Sequence, residues 1–181
     1  MKKIVLFFLI FTNFAYGYSY DDLLLKAQAS IFPKILLLDK KIGDKLIDGR
    51  VIYTIVYEKN DYNKALEINK FIDANYNGHF NGYAYKINLV EFSDLSSSTQ
   101  ASVIYALNSD KDIKKVADFA KDKGIVAFSY DVKNLKAGLL FSLVLEKSTV
   151  LYMNKENLYI QKINFVDSLL RMVKFIDKDN S

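Results

Sequence analysis

Apolar residues recur at helical spacing near the start of the chain. These residues would form one apolar face of a helix: Leu24, Ala27, Ile31, Ile35 and Leu38. Ser19, with Asp22 three residues later, predicts the N-cap of this helix. Pro33 is the only proline and should kink the helix or divide it into two.

The middle of the chain alternates between helical patterns and short runs rich in β-branched and aromatic residues. Residues 50–57 (RVIYTIVY) are almost wholly apolar, which is typical of a parallel strand buried on both faces. Further strands are predicted at 83–92, 101–107 and 124–130. A helix over 61–76 and one from Asp110 to a glycine stop at Gly124 would connect them. Asn-Gly pairs at 77–78 and 81–82 bracket a turn-rich loop.

The last third of the chain predicts an antiparallel hairpin and a closing helix. The hairpin would pair residues 138–145 with 149–153. The helix would begin at Asn164, with Asp167 three residues on, and bury Val166, Leu169, Leu170 and Val173. The element order predicts an α/β fold, a single-domain three-layer sandwich with a mostly parallel sheet plus this hairpin and helix.

The first seventeen residues have the pattern of a secretory signal peptide. Lys2 and Lys3 precede an unbroken apolar run at 4–11, and Ala15 and Gly17 offer small residues to a signal peptidase. The apolar run is far shorter than the roughly 20 residues that a spanning helix needs, so an uncleaved membrane anchor is the weaker alternative. The sequence therefore predicts cleavage after Gly17, a single mature domain over 18–181, a periplasmic location and no membrane span after cleavage.

Composition narrows the classes of function. Of the 25 basic residues two lie in the predicted signal peptide, so the mature chain is close to neutral and is not expected to bind nucleic acid. There is no cysteine, which excludes disulfides and thiol chemistry. Thirteen tyrosines are present, and those on strands are expected to pack in the core with the hydroxyl reaching water.

No set of catalytic residues is visible from spacing. His79 is the only histidine, so neither a complete histidine-based triad nor a zinc site can form, and an exposed loop position is expected for it. Neither a dinucleotide-binding nor a Walker-type glycine pattern occurs. The sequence predicts a non-enzymatic protein with no cofactor and no metal.

Two surfaces could still carry a binding function. Polar residues follow directly after three predicted strands, where open α/β sheets bind ligands, although turns and caps use the same residue types: Glu58, Asn108, Ser109, Ser129 and Asp131. The second surface is the first helix, because Phe32 and Leu36 lie off its apolar stripe. They would be buried between layers, or they would form a partner or homodimer face.

Several segments of the chain resemble the YfiR-like family of periplasmic regulators. The first is 26–38 (KAQASIFPKILLL); the second runs from the strand at 125–130 through Gly138 and the hairpin to Asn154, and ends with 163–172 (INFVDSLLRM). The chain departs from the family pattern where Tyr130 separates Ser129 from Asp131, where Gly138 alone represents a glycine pair, and in lacking cysteines and the Trp-Pro after the first helix.

This resemblance implies a non-enzymatic regulator that binds the outer domain of a membrane sensor, such as a diguanylate cyclase or a histidine kinase, and modulates its output. Asn154 matches the family pattern, whereas Ser129, Asp131 and Gly138 stand where the chain departs from it; all four are candidates for ligand or partner binding. The alternative, from the polar strand ends, is a small periplasmic solute-binding protein whose ligand lies at the carboxyl ends of the strands.

Overall fold

The computed structural model describes residues 18–176, so the predicted signal peptide and its cleavage site lie outside the described residues. The chain forms an α/β domain around one eight-stranded sheet. In chain order its elements are α1 (Asp22–Leu36), β1 (Val51–Tyr57), α2 (Tyr62–Tyr76), β2 (His79–Phe80), β3 (Tyr83–Glu91), β4 (Val103–Ala106), α3 (Ile113–Lys123), β5 (Val126–Ser129), β6 (Phe141–Leu145), β7 (Thr149–Asn154), α4 (Lys155–Ile160), α5 (Asp167–Met172) and β8 (Lys174–Ile176).

The sheet has the strand order β2-β3-β1-β4-β5-β6-β7-β8. Strands β3, β1, β4, β5 and β6 are parallel neighbours, and β6 and β7 form the predicted antiparallel hairpin. Every residue of β1 is buried, as its unbroken apolar run predicted. The order reverses at β1, because the chain goes to β3 on one side and then to β4 on the other. The fold class predicted from the sequence is confirmed.

Helices cover both faces of the sheet and divide the core into two parts. Alternate β1 residues such as Tyr53 and Ile55 face a core shared with α1, α2, α4 and α5. Val56 faces the second core, which α3 covers on the opposite side of the sheet. Among residues 18–176 no helix has the length and apolar character that crossing a membrane requires.

Helix α1 differs from its prediction in its N-cap and in continuing through Pro33. Its N-cap is Asp21 rather than Ser19, and the Asp21 carboxylate accepts a hydrogen bond of 2.7 Å from the Leu24 N–H. Pro33 lies inside the helix and does not divide it. The neighbouring Phe32 ring stacks on Phe128 at 4.3 Å, and this burial holds the last turn in place despite the missing proline donor.

The remaining differences concern short elements. Helix α3 begins after Asp112 rather than Asp110, and α5 begins after Val166 rather than Asn164. The sequence did not predict α4, β8 or the two-residue β2. β2 includes His79, whose side chain is exposed, within the segment read as a turn-rich loop.

Tyr53 departs from the expectation that strand tyrosines reach water. Its side chain is 0% exposed, and its hydroxyl has no hydrogen-bond partner among the described residues. An unpaired buried hydroxyl costs free energy, so we expect Tyr53→Phe to raise the free energy of unfolding by about 1 kcal/mol. Urea denaturation followed by circular dichroism would measure this. Tyr105→Phe is the matched control and should be destabilising, because the Tyr105 hydroxyl donates to the side-chain oxygen of Gln28.

Candidate functional site

The structure separates the residues that the sequence singled out into three places. Asn108, Ser129 and Asp131 meet at the carboxyl ends of the central strands, as predicted. Gly138 and Asn154 lie together at the opposite edge of the sheet, in a cleft. Phe32 and Leu36 are both 0% exposed in the core, so they offer no exposed partner face on the described chain. The burial explanation for the first helix is therefore the one that the structure supports.

The polar residues after β4 and β5 hydrogen-bond one another. The Asn134 side-chain amide donates to the Asn108 side-chain oxygen at 3.2 Å and to the Ser129 hydroxyl at 3.1 Å. That hydroxyl in turn donates to the Asp131 carbonyl at 2.8 Å, and an Asp131 carboxylate oxygen caps the Lys133 N–H at 2.9 Å. Asn134 comes from the 3₁₀ turn at Val132–Ala137, which the sequence did not predict.

The polar residues after β1 and β4 are also paired. The Ser109 hydroxyl donates to a Glu58 carboxylate oxygen at 2.6 Å and accepts from the Asp112 N–H at 3.1 Å, at the start of α3. These contacts are typical of helix caps and turns.

Residues 18–21, which precede α1, lie across this same edge of the sheet. The Tyr20 hydroxyl donates to an Asp61 carboxylate oxygen at 2.7 Å and accepts from the Asn108 N–H at 3.1 Å. The Tyr130 hydroxyl accepts from the Asp21 N–H at 2.8 Å, and the Tyr20 and Tyr130 rings pack edge-to-face at 4.7 Å. We call these four residues the N-terminal segment.

The two tyrosines of the N-terminal segment, Tyr18 and Tyr20, have raised pKa values. Burial raises the pKa of Tyr20, and the hydrogen bond to Asp61 raises it further. Burial, then a hydrogen bond to Asp110, raises the pKa of Tyr18 to about 12. The crevice where open α/β sheets bind ligands is therefore covered by the chain itself. Sequence reasoning missed this because no local pattern links residues 18–21 to strands so far along the chain.

A second site lies at the opposite edge of the sheet, where α3 ends before β5. Two adjoining cavities of about 290 Å³ and about 450 Å³ share Lys121, Ile160 and Gln161. We call them together the amino-edge cleft. The charged residues that line it are seven lysines and three acids, namely Lys41, Lys45, Lys114, Lys121, Lys123, Lys136, Lys162, Asp118, Asp122 and Glu156.

The amino-edge cleft has an excess of positive charge and an apolar margin. Lys45 pairs with Asp39 at 2.5 Å and Lys114 pairs with Asp118, whereas Lys41 and Lys136 make no ion pair with any residue of 18–176. An exposed apolar side chain lines both cavities: Ile160, which is 44% exposed, and it follows Tyr159, which is 69% exposed, on α4.

Gly138 and Asn154 shape the floor of this cleft. Asn154 is the N-cap of α4: its side-chain oxygen accepts from the Asn157 N–H at 3.1 Å, and its amide donates to the Leu135 carbonyl at 2.7 Å. The Gln161 amide approaches the Gly138 carbonyl at 3.4 Å. The Gln161 side-chain oxygen is buried and has no hydrogen-bond partner among the described residues. The cleft therefore offers cationic groups above a floor that contains a buried, unpaired amide oxygen among the described residues.

Within residues 18–176 no three histidine, aspartate or glutamate side chains come together in a way that could hold a metal ion. The chemistry that the described side chains offer at both edges consists of hydrogen bonds, charge and apolar contact.

Comparison with known proteins shows the fold and nothing finer. No family model and no curated protein matches the chain. A conserved domain protein from Vibrio cholerae O1 biovar El Tor str. N16961 is similar in structure, with a TM-score of 0.59, 15% identity, and coverage of 84% of this chain and 60% of that one. An ABC domain in complex with L-Trp from Streptococcus pneumonia has a TM-score of 0.50 and 11% identity, over 79% of this chain and 62% of that one. The chain thus spans less than two thirds of either structure, and at these identities the likeness is one of α/β fold.

Proposed function

We propose that the chain is a non-enzymatic periplasmic regulator that binds the outer domain of a membrane sensor, a diguanylate cyclase or a histidine kinase, and modulates its output. The amino-edge cleft is the observation that carries this proposal. The order of elements and the short segments that resemble YfiR-like regulators agree with it.

The chemistry of the cleft suits a protein partner that presents acidic residues. Lysines that make no ion pair within residues 18–176, such as Lys41 and Lys136, keep their charge available for a carboxylate on the partner. The exposed Ile160 supplies apolar area in the same cleft, and the exposed Tyr159 precedes it on α4; aromatic residues are enriched at interfaces. Complementary charge speeds association and sets orientation, while the apolar contact slows dissociation.

The carboxyl edge gives less support to the alternative, a small solute-binding protein. Its polar groups already hydrogen-bond one another, and the N-terminal segment lies over them. A solute at this edge would have to displace Tyr20 from both Asp61 and Asn108.

Charge reversal in the cleft tests the proposal. We expect Lys41→Glu with Lys136→Glu to lower capture of the partner about tenfold, because two attractive contacts become repulsive. The measurement is cross-linking of the tagged mature chain in its own cells, with the captured proteins identified by mass spectrometry. The expected product is a membrane sensor with a periplasmic domain.

The control reverses two exposed lysines elsewhere, Lys70→Glu with Lys86→Glu, which changes the net charge equally on α2 and β3. Equal capture by wild type and control, with loss only in the cleft variant, supports the proposal. Equal loss in both variants would show a general charge effect and contradict a specific cleft. Capture of the chain alone, or of nothing, would favour the alternative of solute binding at the carboxyl ends of the strands.

A further inference from the structure

Within residues 18–176 two aspartate carboxylates are buried, and only one of them has a cationic partner there. Asp39 is 2% exposed and pairs with the Lys45 ammonium at 2.5 Å. Asp61 is 3% exposed, and no lysine, arginine or histidine within 18–176 pairs with it. Burying a carboxylate without a cation or a full set of hydrogen-bond donors costs free energy of folding. A group that brings positive charge to Asp61 would offset this cost.

The group closest to supplying that charge is the main-chain nitrogen of Tyr18. Its N–H hydrogen-bonds the Asp61 carboxylate, next to the Tyr20 hydroxyl that donates to the same carboxylate at 2.7 Å. In a chain that still carries residue 17 this nitrogen is a neutral amide with one hydrogen. It would become an α-ammonium group with three donors if the peptide bond between Gly17 and Tyr18 were cut.

We propose that hydrolysis of the bond between Gly17 and Tyr18 creates a buried ion pair between the new α-ammonium group of Tyr18 and the Asp61 carboxylate, which locks the N-terminal segment over the carboxyl edge. A signal peptidase adds water across this bond, so Gly17 leaves as a carboxylate and the Tyr18 nitrogen takes up the protons. The proposal rests on the cleavage site predicted from the sequence, and it assigns a structural consequence to that site.

Geometry makes the position of the cut matter. An extended chain advances by about 3.3–3.6 Å per residue, so a cut two residues earlier, after Ala15, would place the ammonium group about 7 Å from the Tyr18 nitrogen. A group at that distance would not hydrogen-bond Asp61. Of the two small residues near the predicted cut, only Gly17 leaves the charge beside the carboxylate.

The pair also predicts how stability depends on pH. While residue 17 is attached, burial raises the pKa of Asp61 and the Glu58 charge adds to this, whereas hydrogen bonds from Tyr20 and the Tyr18 N–H oppose it. A carboxyl with a raised pKa costs stability as the pH rises from its unfolded pKa through its folded one. Other titratable side chains close to the N-terminal segment on this edge are Asp110, beside the Tyr18 hydroxyl, Tyr130, whose hydroxyl accepts from the Asp21 N–H, and Lys64, which pairs with Asp22.

The pH dependence that Asp61 gives to stability changes sign once the ammonium group is present. The pKa of Asp61 should then be lowered, so its contribution is present above about pH 4 and is lost as the pH falls. The pKa of the ammonium should be raised, so its contribution is present below about pH 8 and is lost as the pH rises through the folded value. The processed chain should therefore have extra stability in a window between these limits that the unprocessed chain lacks.

The test compares chains that differ only at the N-terminus. One begins at Tyr18 and is released from a fusion by a protease that leaves no extra residue; the other carries Gly-Ser before Tyr18. We expect the Tyr18 chain to have a Tm at pH 6 higher by about 4 °C, and this difference to shrink above about pH 9. In Asp61→Asn the two N-termini should give the same Tm.

A second measurement keeps the proposal testable if Asp61→Asn does not fold. The rate at which an activated ester acylates the α-amine should be at least tenfold lower in the folded Tyr18 chain than in the same chain unfolded in urea. Equal Tm values for the two chains at pH 6, or a difference that persists in Asp61→Asn, would overturn the ion pair. N-terminal sequencing of the exported protein that finds a start other than Tyr18 would overturn the processing step. None of these outcomes depends on whether the amino-edge cleft binds a sensor.

Discussion

Replacing Gln28 with leucine is expected to lower the free energy of unfolding by about 3 kcal/mol. Gln28 is a fully buried polar residue on α1, and its amide donates to the carbonyl of Tyr130 at 2.9 Å and to that of Leu143 at 3.0 Å. Its side-chain oxygen accepts from the Tyr105 hydroxyl. Leucine would fill the space and leave these buried groups without that partner. Urea unfolding followed by circular dichroism measures the loss.

The chain contains a matched control for this substitution. Gln161 is also buried, but its side-chain oxygen is unpaired and its amide makes only the long contact of 3.4 Å to the Gly138 carbonyl. Gln161→Leu should therefore cost less than about 1 kcal/mol. An equal loss in both variants would mean that burial of the amide, and not its hydrogen bonds, determines the effect. A double variant with Tyr105→Phe should cost less than the sum of the single changes, because the two residues share a bond.

The burial of Gln28 could not be predicted from the sequence. A glutamine within a helical stripe looks like a solvent-facing residue, because Gln is seldom buried. Its partners Tyr105, Tyr130 and Leu143 come from separate strands or strand ends, 77 to 115 residues away in the chain. No local pattern contains that information. Residues 51–57 are the opposite case, since an unbroken run of apolar β-branched and aromatic residues predicts a buried strand wherever it occurs.

The N-cap of α1 depends on a similar long-range contact. Ser19 and Asp21 are both good cap residues, and their spacing to the helix does not decide between them. The Tyr130 hydroxyl accepts from the Asp21 N–H at 2.8 Å, which fixes this residue in the extended conformation that an N-cap needs. The unpredicted α4 has only six residues, too few to show a period.

Only one part of the candidate sites could be predicted from the sequence, namely the residues at the carboxyl ends of the strands. Asn108, Ser129 and Asp131 were expected to meet because parallel strands end at one edge of a sheet, and they do. The amino-edge cleft was not expected, since its lysines come from four separate segments of the chain and only folding brings them together. Gly138 and Asn154 had been singled out by resemblance alone.

Gly138→Ala is expected to lower the free energy of unfolding by about 3 kcal/mol. Gly138 has φ +115°, which L-residues rarely adopt, and an added Cβ would lie 2.8 Å from the Ala117 Cβ on α3. Ala117 is packed in the second core and cannot move aside without shifting its helix. The loss therefore combines backbone strain with a steric contact. Thermal and urea unfolding of the variant would measure it.

Gly82→Ala separates these two contributions. Gly82 has φ +95°, but nothing lies within 4 Å of the added Cβ, so only backbone strain should appear, at about 1 kcal/mol. If both variants lost the same free energy, the contact with Ala117 would contribute nothing, and the close packing of α3 against the cleft floor would be wrong. A larger loss of unfolding free energy in Gly138→Ala would show that the absence of a side chain at Gly138 allows α3 to pack closely against the floor of the cleft. Its resemblance to the glycine pair of YfiR-like regulators would then have a basis in packing, and the proposed binding role would rest on the lysines of the cleft.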